Sequence, residues 1–366
     1  MDFTPDETQR SISQLAADVL RGELTQERTP GRHGYDEHLW QALGKADLLG
    51  LSVPSELGGD DLGVAEVGAV LTEIGRYAAP LPAVATLACG ALPVGAFGTA
   101  RHRQQLLPAV ASGESLVTAA LHEPSALWTT EPTTTATKSA GQWRLDGRKT
   151  SVAFAAESTR VIVPATTPDG VELFLVSPDA KGVTLRSSPN SAATPEHTVI
   201  LDGVLLDEDE RMASHTGTVA LQQLHRFALA GLCAVADGAL AAVLELTTTH
   251  LGTRHQFGKA LASFQSASSQ VADIYIAART LHLATSSAIW RLSEGMDAEQ
   301  DLGVAGYWLA TEAPPALANA HHLHGGVGVD ETYPLHHYYA LIKDLARLAG
   351  GTRARTRSLA QAIGGA

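Results

Sequence analysis

Two short stretches carry residues that could do chemistry. The first is Arg254-His255-Gln256-Phe257-Gly258-Lys259, which follows a long Ala/Leu-rich run and a break at Gly252. A guanidinium just past a helix end is free to meet a phosphate through charge-assisted hydrogen bonds. The same cation also complements a helix dipole, and taken alone Arg254 fits that second role as well. The second stretch is His321-His322-Leu323-His324-Gly325-Gly326-Val327-Gly328. A glycine pair after a helix lets backbone N–H groups approach a phosphate closely, although most glycine clusters are only turns. His321 and His324 share a helix face and could hold a metal. No acidic or cysteine partner sits at ligand spacing, so no metal is expected. His336 and His337 read as polar residues at a helix start.

Other chemistries leave no trace. The chain has no Gly-x-Ser-x-Gly elbow, no Walker lysine and no Rossmann glycine fingerprint. Cys89 and Cys233, the only cysteines, each sit inside an apolar helical run. They read as core residues of a protein from a reducing cytoplasm rather than as nucleophiles. The formal net charge of −13 argues against nucleic acid, since no basic stripe exists to displace counterions. It also argues against an anionic membrane surface. The N-terminus is acidic and lacks the basic and apolar regions of a signal peptide.

The elements that must position these residues fall into three blocks. From Thr4 to about Gly113 the pattern is helical, with Pro5-Asp6-Glu7 as a first turn and Leu15, Val19 and Leu20 near one face. Val64 to Tyr77 is a second amphipathic helix. Leu81 to Gly98 is apolar enough to raise a membrane span, but Pro82, Pro93 and glycines split it, so a buried helix with its turns is expected. Between Glu114 and about Ser214 Thr and Val become common and alternation replaces the helical period. Trp143 to Lys149 reads as a strand into a hairpin, followed by strands at Arg160–Pro164, Val171–Val176 and Gly182–Leu185.

From Gly217 onward the chain is helical again, in segments Gly217–Gly252, Ser263–Glu294, Asp301–Ala320 and Tyr333–Ile363, the size of a four-helix bundle. The first of these is apolar almost all round. Asp237 at mid-span and the abundance of small Ala favour burial in a bundle over a membrane. The expected class is α+β with three domains: 1–113 all-α, 114–214 a β-barrel or sandwich, and 215–366 the bundle.

With those residues in view, the chain resembles the acyl-CoA dehydrogenase family over nearly its whole length. The match runs through the opening Met-Asp-Phe, Ser52 to Gly63 (SVPSELGGDDLG), Leu121 to Pro124 and Leu145-Asp146-Gly147-Arg148-Lys149. It continues through Arg254 to Lys259, Phe264-Gln265, His324 to Gly328 and Tyr333-Pro334. The resemblance implies the same helical, β and four-helix-bundle order. It also implies FAD, and oxidation of an acyl-CoA thioester to the enoyl-CoA. In the family a carboxylate removes the α-proton while hydride passes from Cβ to flavin N5. The β domain of one chain holds the isoalloxazine, and the bundle of a neighbour contacts the pyrophosphate and adenosine.

The departures from the family pattern fall on one side of that division. Where the family's flavin-facing loop reads Thr-Glu-Pro-Gly-Ala-Gly-Ser-Asp, this chain has His122-Glu123-Pro124-Ser125-Ala126-Leu127-Trp128. Ser151 replaces the flavin-packing Trp, and Ala153 the flavin-bonding Thr. Gly350 stands where the catalytic Glu precedes a Gly-Thr pair, and Ala228 where other members carry the base on the long helix. Neither can accept a proton. No Asp or Glu occurs from Leu345 to Ala366.

The residues that serve a neighbour's cofactor are kept: Arg254, Gln256, Phe257, Phe264, Gln265, Gly325 and Gly326, with His322 where Gln is frequent. The pattern resembles the non-catalytic subunit of bacterial heterotetrameric acyl-CoA dehydrogenases, including those acting on steroid side-chain CoA thioesters. FAD would be shared with a catalytic partner chain in an α2β2 assembly, and the acyl-CoA met only through that complex. Two other readings stay open. One is a self-sufficient homotetrameric flavoenzyme with a displaced base, for which Glu331 is the best substitute carboxylate. The other is a flavin-free binding or regulatory protein on the same fold.

Overall fold

The computed structural model describes residues 3–24, 34–124, 126–139, 141–212 and 217–364. Met1-Asp2, Gly31, Ser125 and the expected 214/215 boundary lie outside the described residues.

Helices α1 (Glu7–Glu23), α2 (Glu37–Lys45) and α3 (Val64–Arg76) open the fold. The first begins at Glu7, not in a turn containing Pro5, because Asp6 is its cap. The Asp6 carboxylate accepts the Gln9 N–H at 2.8 Å, and the Gln9 side chain accepts the Asp6 N–H in return, satisfying two otherwise orphaned donors. Its buried face is Ile12, Ala16 and Leu20, whereas Leu15, expected on that face, is exposed. The apolar stretch after α3 is a buried π-helical segment, Val84–Ala91, followed by α4 (Leu92–Phe97) and α5 (Ala100–Ala111).

The strands form one sheet: β1 (Val117–Ala119), β2 (Thr135–Ser139), β3 (Gln142–Ala153), β4 (Arg160–Thr167), β5 (Gly170–Val176), β6 (Val183–Ser187) and β7 (Glu196–Leu206). Its order is β1-β4-β2-β3-β7-β6, with β5 branching from β4. The expected hairpin after Trp143 is absent. The chain runs straight on through Asp146-Gly147 as a bulge in β3, because Asp146 is tied across to β7 by accepting the Gly203 N–H at 2.8 Å. A second irregularity between Lys149 and Val152 turns Lys149 into the core and leaves Ser151 at φ +53°.

Helix α6 (Gly217–Thr253) is 37 residues long. It is apolar enough to cross a membrane, but 89% of its most apolar window is buried inside this fold. Burial of its large residues, such as Phe227, Leu232 and Leu240, stabilises by roughly 1.5–3 kcal/mol each. It crosses α3 at backbone contact. A Cβ at Gly75 would strike the Val235 carbonyl, and one at Gly238 the Thr72 carbonyl. No larger residue allows that approach.

A short hairpin, β8 (His255–Gln256) and β9 (Lys259–Ala260), leads into α7 (Gln265–Ser293). The expected single helix at 301–320 is instead α8 (Glu299–Tyr307), a π-helical turn (Trp308–Glu312) and α9 (Ala313–His324). Pro314 cannot donate to the Ala310 carbonyl, and the Thr352 hydroxyl donates to it instead at 3.2 Å. The expected helix at 333–363 is likewise two, α10 (Leu335–Leu348) and α11 (Gly351–Gly364), broken where Gly350 takes φ +105° and Gly351 φ +69°.

Candidate active-site cavity and cofactor-facing turn

Arg254 stands immediately past the end of α6, and β8–β9 turn over Phe257 and Gly258 at φ +52° and +79°. Arg254, Gln256 and Gln265 are exposed, and Phe257 is 92% exposed. Among the described residues the Arg254 guanidinium has no carboxylate partner. The Phe264 ring meets Phe257 edge-on at 6.2 Å and carries the Lys259 ammonium 4.1 Å above its centroid.

The glycine stretch is brought to this same end of the bundle by a contact the sequence reading missed. His250, one turn before Arg254, stacks on His324 at 4.5 Å. His324 is locked in turn, its Nδ1 paired with the Ala320 carbonyl at 2.8 Å and its Nε2 with the Tyr333 hydroxyl at 3.1 Å. His322, Gly325 and Gly326 then face outward, and nothing lies within 4 Å of a Cβ at either glycine. Val327 and Val329 add exposed apolar surface beside them. Seven of the eight residues expected to serve a cofactor therefore lie on open surface rather than in a pocket, and the eighth, Phe264, is half-buried beneath Phe257 and Lys259.

The cavity is elsewhere. A space of about 140 Å³ lies between the sheet and the helices, with Leu121, His122 and Ser151 on one side and Ala228, Leu232 and Leu345 on the other. Trp128 fills one end of it. The indole Nε1 donates to the Leu348 carbonyl at 3.0 Å, and the ring meets His122 and His225 edge-on at 5.5 and 5.3 Å. The Arg355 guanidinium lies 4.8 Å from the ring centroid, in cation–π range. Arg355 is buried and donates through Nε to the Ala349 carbonyl. Burial, reinforced by Arg347, pushes His122 down to about 4. Burial, reinforced by His122, pushes His225 down to about 3. Both rings are neutral at neutral pH, and each has a buried Nε2 without a hydrogen-bond partner among the described residues.

Both positions expected to lack a base adjoin this space. Ala228 lines it, and a Cβ at Gly350 would stand 3.3 Å from Trp128 Cδ1. Glu331 does not reach it: the residue is exposed in the turn before α10, so the substitute-carboxylate expectation is corrected. The carboxylates that do line the cavity are Glu196 and Asp344, and both are engaged. Glu196 takes the Arg347 guanidinium at 2.6 Å, while Asp344 accepts the Ala192 N–H at 2.7 Å. Arg347 also donates to the Ser151 hydroxyl at 3.0 Å, tying α10 to β3 at the edge of the cavity.

One more buried group underlies the loop that carries Trp128. The Glu123 carboxylate receives Lys149 Nζ at 2.7 Å together with the N–H and hydroxyl groups of Thr133 and Thr134. Burial would raise its pKa, but Lys149 and the two hydroxyls hold it down to about 2. Nothing local in the sequence pairs Glu123 with Lys149. The bulged strand does. Burial likewise pushes the thiols of Cys89 and Cys233 up to about 12, which agrees with their expected core role.

Comparison with known proteins fits this geometry. The family profile for the acyl-CoA dehydrogenase N-terminal domain matches residues 6–114, and that for the C-terminal domain matches residues 217–363. Acyl-CoA dehydrogenase FadE28 of Mycobacterium tuberculosis is 40% identical over 359 residues, covering 98% of each chain. Among solved structures, the ChsE4–ChsE5 complex from Mycobacterium tuberculosis superposes with a TM-score of 0.92 at 28% identity, covering 100% of this chain and 99% of that one. A variant of the Tcur3481–Tcur3483 steroid ACAD gives 0.90 at 31% identity, covering 98% of both. Profiles, relatives and fold agree: the chain belongs to the acyl-CoA dehydrogenase family.

Proposed function

We propose that this chain is the non-catalytic member of a heteromeric, FAD-dependent acyl-CoA dehydrogenase that desaturates a steroid side-chain CoA thioester. The observation that carries the reading is Gly350 packed under Trp128: the position has no side chain to accept a proton, and an added Cβ would stand only 3.3 Å from the indole. The similarity to the ChsE4–ChsE5 complex and to a steroid ACAD supports a heteromeric partner and a steroid-type substrate.

At the chain's own flavin-facing strand, Ser151 stands where the family has the flavin-packing Trp, and Arg347 donates across to its hydroxyl. The outward turn does fit a flavin cofactor. An Arg254 with no carboxylate partner among the described residues, two glycines with open space above them and an exposed Phe257 are what a flavin's diphosphate and its flanking rings require. When bound, FAD supplies the hydride acceptor of the desaturation. In this reading the chain's residues only bind and orient. Arg254 donates to phosphate or ribose oxygens, Gln256, Gln265 and His322 supply further polar contacts, and Gly325-Gly326 permit close backbone approach. Phe257 and Phe264 pack against apolar surface. The partner chain supplies the proton acceptor, in an assembly of two chains of each kind.

Visible absorption of the chain alone and co-expressed with a catalytic acyl-CoA dehydrogenase tests this. The expected result is a colourless lone chain and a yellow complex with about one FAD per pair of chains, linked to assembly by mass action. Arg254→Ala should lower the flavin content of the complex without unfolding the chain. Stoichiometric FAD in the lone chain, bleached by an acyl-CoA, would overturn the reading.

A further inference from the structure

A second cavity, of about 330 Å³, lies on the other side of the α3–α6 crossing from the one described above. On α6 Leu232 and Val235 face the first cavity while Asp237 faces this groove; on α3 Ile74 faces the first and Thr72 the second. Asp237 is only 7% exposed, and it is the one acidic residue among the buried residues of α6. Its Oδ2 pairs with His282 Nδ1 at 2.9 Å. His282 sits on α7, and the residues three and seven further on, Thr285 and Ile289, continue the same helix face into the groove.

Thr285 is 2% exposed, and its hydroxyl has no hydrogen-bond partner among the described residues. A buried threonine on a helix ordinarily satisfies its hydroxyl on a carbonyl one turn back. An orphaned one lining a cavity costs free energy unless a ligand completes it. Phe3 and Trp290 form one wall, meeting edge-on at 5.5 Å. Asp6 and Glu294 stand at the rim, while Arg76 and Arg279 approach Asp237 and His282 from the adjoining pocket. The net charge around the groove is therefore near balance, and what points to a cation with hydrogen-bond donors is local: a buried carboxylate and an unsatisfied hydroxyl that line the same space.

We propose that this groove binds a small primary alkylammonium ion, with its N–H donors shared between the Asp237 carboxylate and the Thr285 hydroxyl and its apolar stem against Phe3 and Trp290. The inference is independent of the cofactor reading, because none of these residues lines the first cavity or the Arg254 turn. The chemistry needed is donor-rich at one end and apolar at the other. The free guanidinium ion has donors but no stem for the aromatic wall, and an alcohol lacks the charge that Asp237 rewards.

Isothermal titration of the purified full chain with n-butylammonium chloride tests it, with n-butanol as the uncharged isostere. Saturable binding of the ammonium and none of the alcohol are expected. Asp237→Asn should weaken binding about tenfold or more, as loss of a charged hydrogen-bond partner does. Thr285→Val, which keeps shape and removes only the hydroxyl, should weaken it several-fold and decides the matter if Asp237→Asn does not fold. Absence of saturation up to about 10 mM, equal binding of n-butanol, or unchanged affinity in the variants would each overturn the proposal.

Discussion

The indole of Trp128 lies against the backbone of Gly350, so that a Cβ at residue 350 would stand 3.3 Å from Cδ1 and 3.5 Å from Nε1. Bulk at one position and its absence at the other fill the same volume from opposite sides. Both residues take positive φ, +58° and +105°. For a tryptophan that conformation costs roughly 1–2 kcal/mol, which the hydrogen bond to Leu348 and the contacts with His122, His225 and Arg355 offset.

Restoring a carboxylate at this position alone will therefore not restore a base. Gly350→Glu introduces a side chain into the left-handed region and against the indole. It should destabilise by about 1–3 kcal/mol and leave the chain unable to turn over an acyl-CoA. Thermal denaturation and an acceptor-reduction assay check both parts. A stable, active single variant would contradict the packing argument.

The buried Glu123–Lys149 pair makes a sharper stability prediction. Lys149→Met removes the countercharge and leaves a carboxylate that is almost wholly buried, a loss of about 3–5 kcal/mol. Because Glu123 titrates at about 2 rather than the ordinary 4.5, its contribution is present above pH 4.5. It is lost as pH falls toward 2, amounting to about 3 kcal/mol at neutral pH. Urea midpoints measured across that range should fall for the natural chain and fall less for Glu123→Gln.

His122 and His225 act in a higher window. Their folded values of about 4 and about 3 lie below the ordinary 6.5, so the unfolded chain takes up protons that the folded chain refuses. Stability therefore drops as pH falls below 6.5. His282, raised chiefly by its hydrogen bond to Asp237, has the opposite sign: its contribution is present at low pH and lost as pH rises through its folded value. His225→Leu should flatten the loss of urea midpoint between pH 6.5 and about 4.5. An unchanged slope would show that these rings do not govern it.

Arg347 ties α10 to the sheet. Its partner Glu196 has a side chain only 5% exposed, so Arg347→Ala strands a buried carboxylate and should cost about 1–3 kcal/mol. Lysine, which lacks the forked geometry that reaches both carboxylate oxygens and Ser151, should recover only part of that. Equal midpoints for the alanine variant and the natural chain would remove the tie from the account.

Much of the architecture was legible because it is periodic. Asp237 and the small Ala residues of the apolar run favoured a buried helix over a membrane span, and the shift to Thr- and Val-rich alternation after Glu114 announced strands. Breaks within elements were not legible. Trp143 to Lys149 has the residues of a hairpin, and only the Asp146–Gly203 bond across to β7 shows why the chain goes straight on. Likewise Gly350-Gly351 and Pro314-Pro315 interrupt helices whose apolar period runs through them.

The same division holds for the site. By itself the sequence determined the absences, since no Asp or Glu follows Asp344, and it determined Arg254 at a helix end with its glycine-rich counterpart. Tertiary structure decided what stands beside what. It seats His250 on His324, turns Lys149 inward to Glu123, leaves Glu331 in solvent and occupies Glu196 and Asp344 with Arg347 and Ala192. Trp128 reaches Gly350 from 222 positions away in the sequence (128 to 350). A residue's type is local, but the volume it fills and the partner that meets its charge are set by segments distant in the chain, and only packing brings those together.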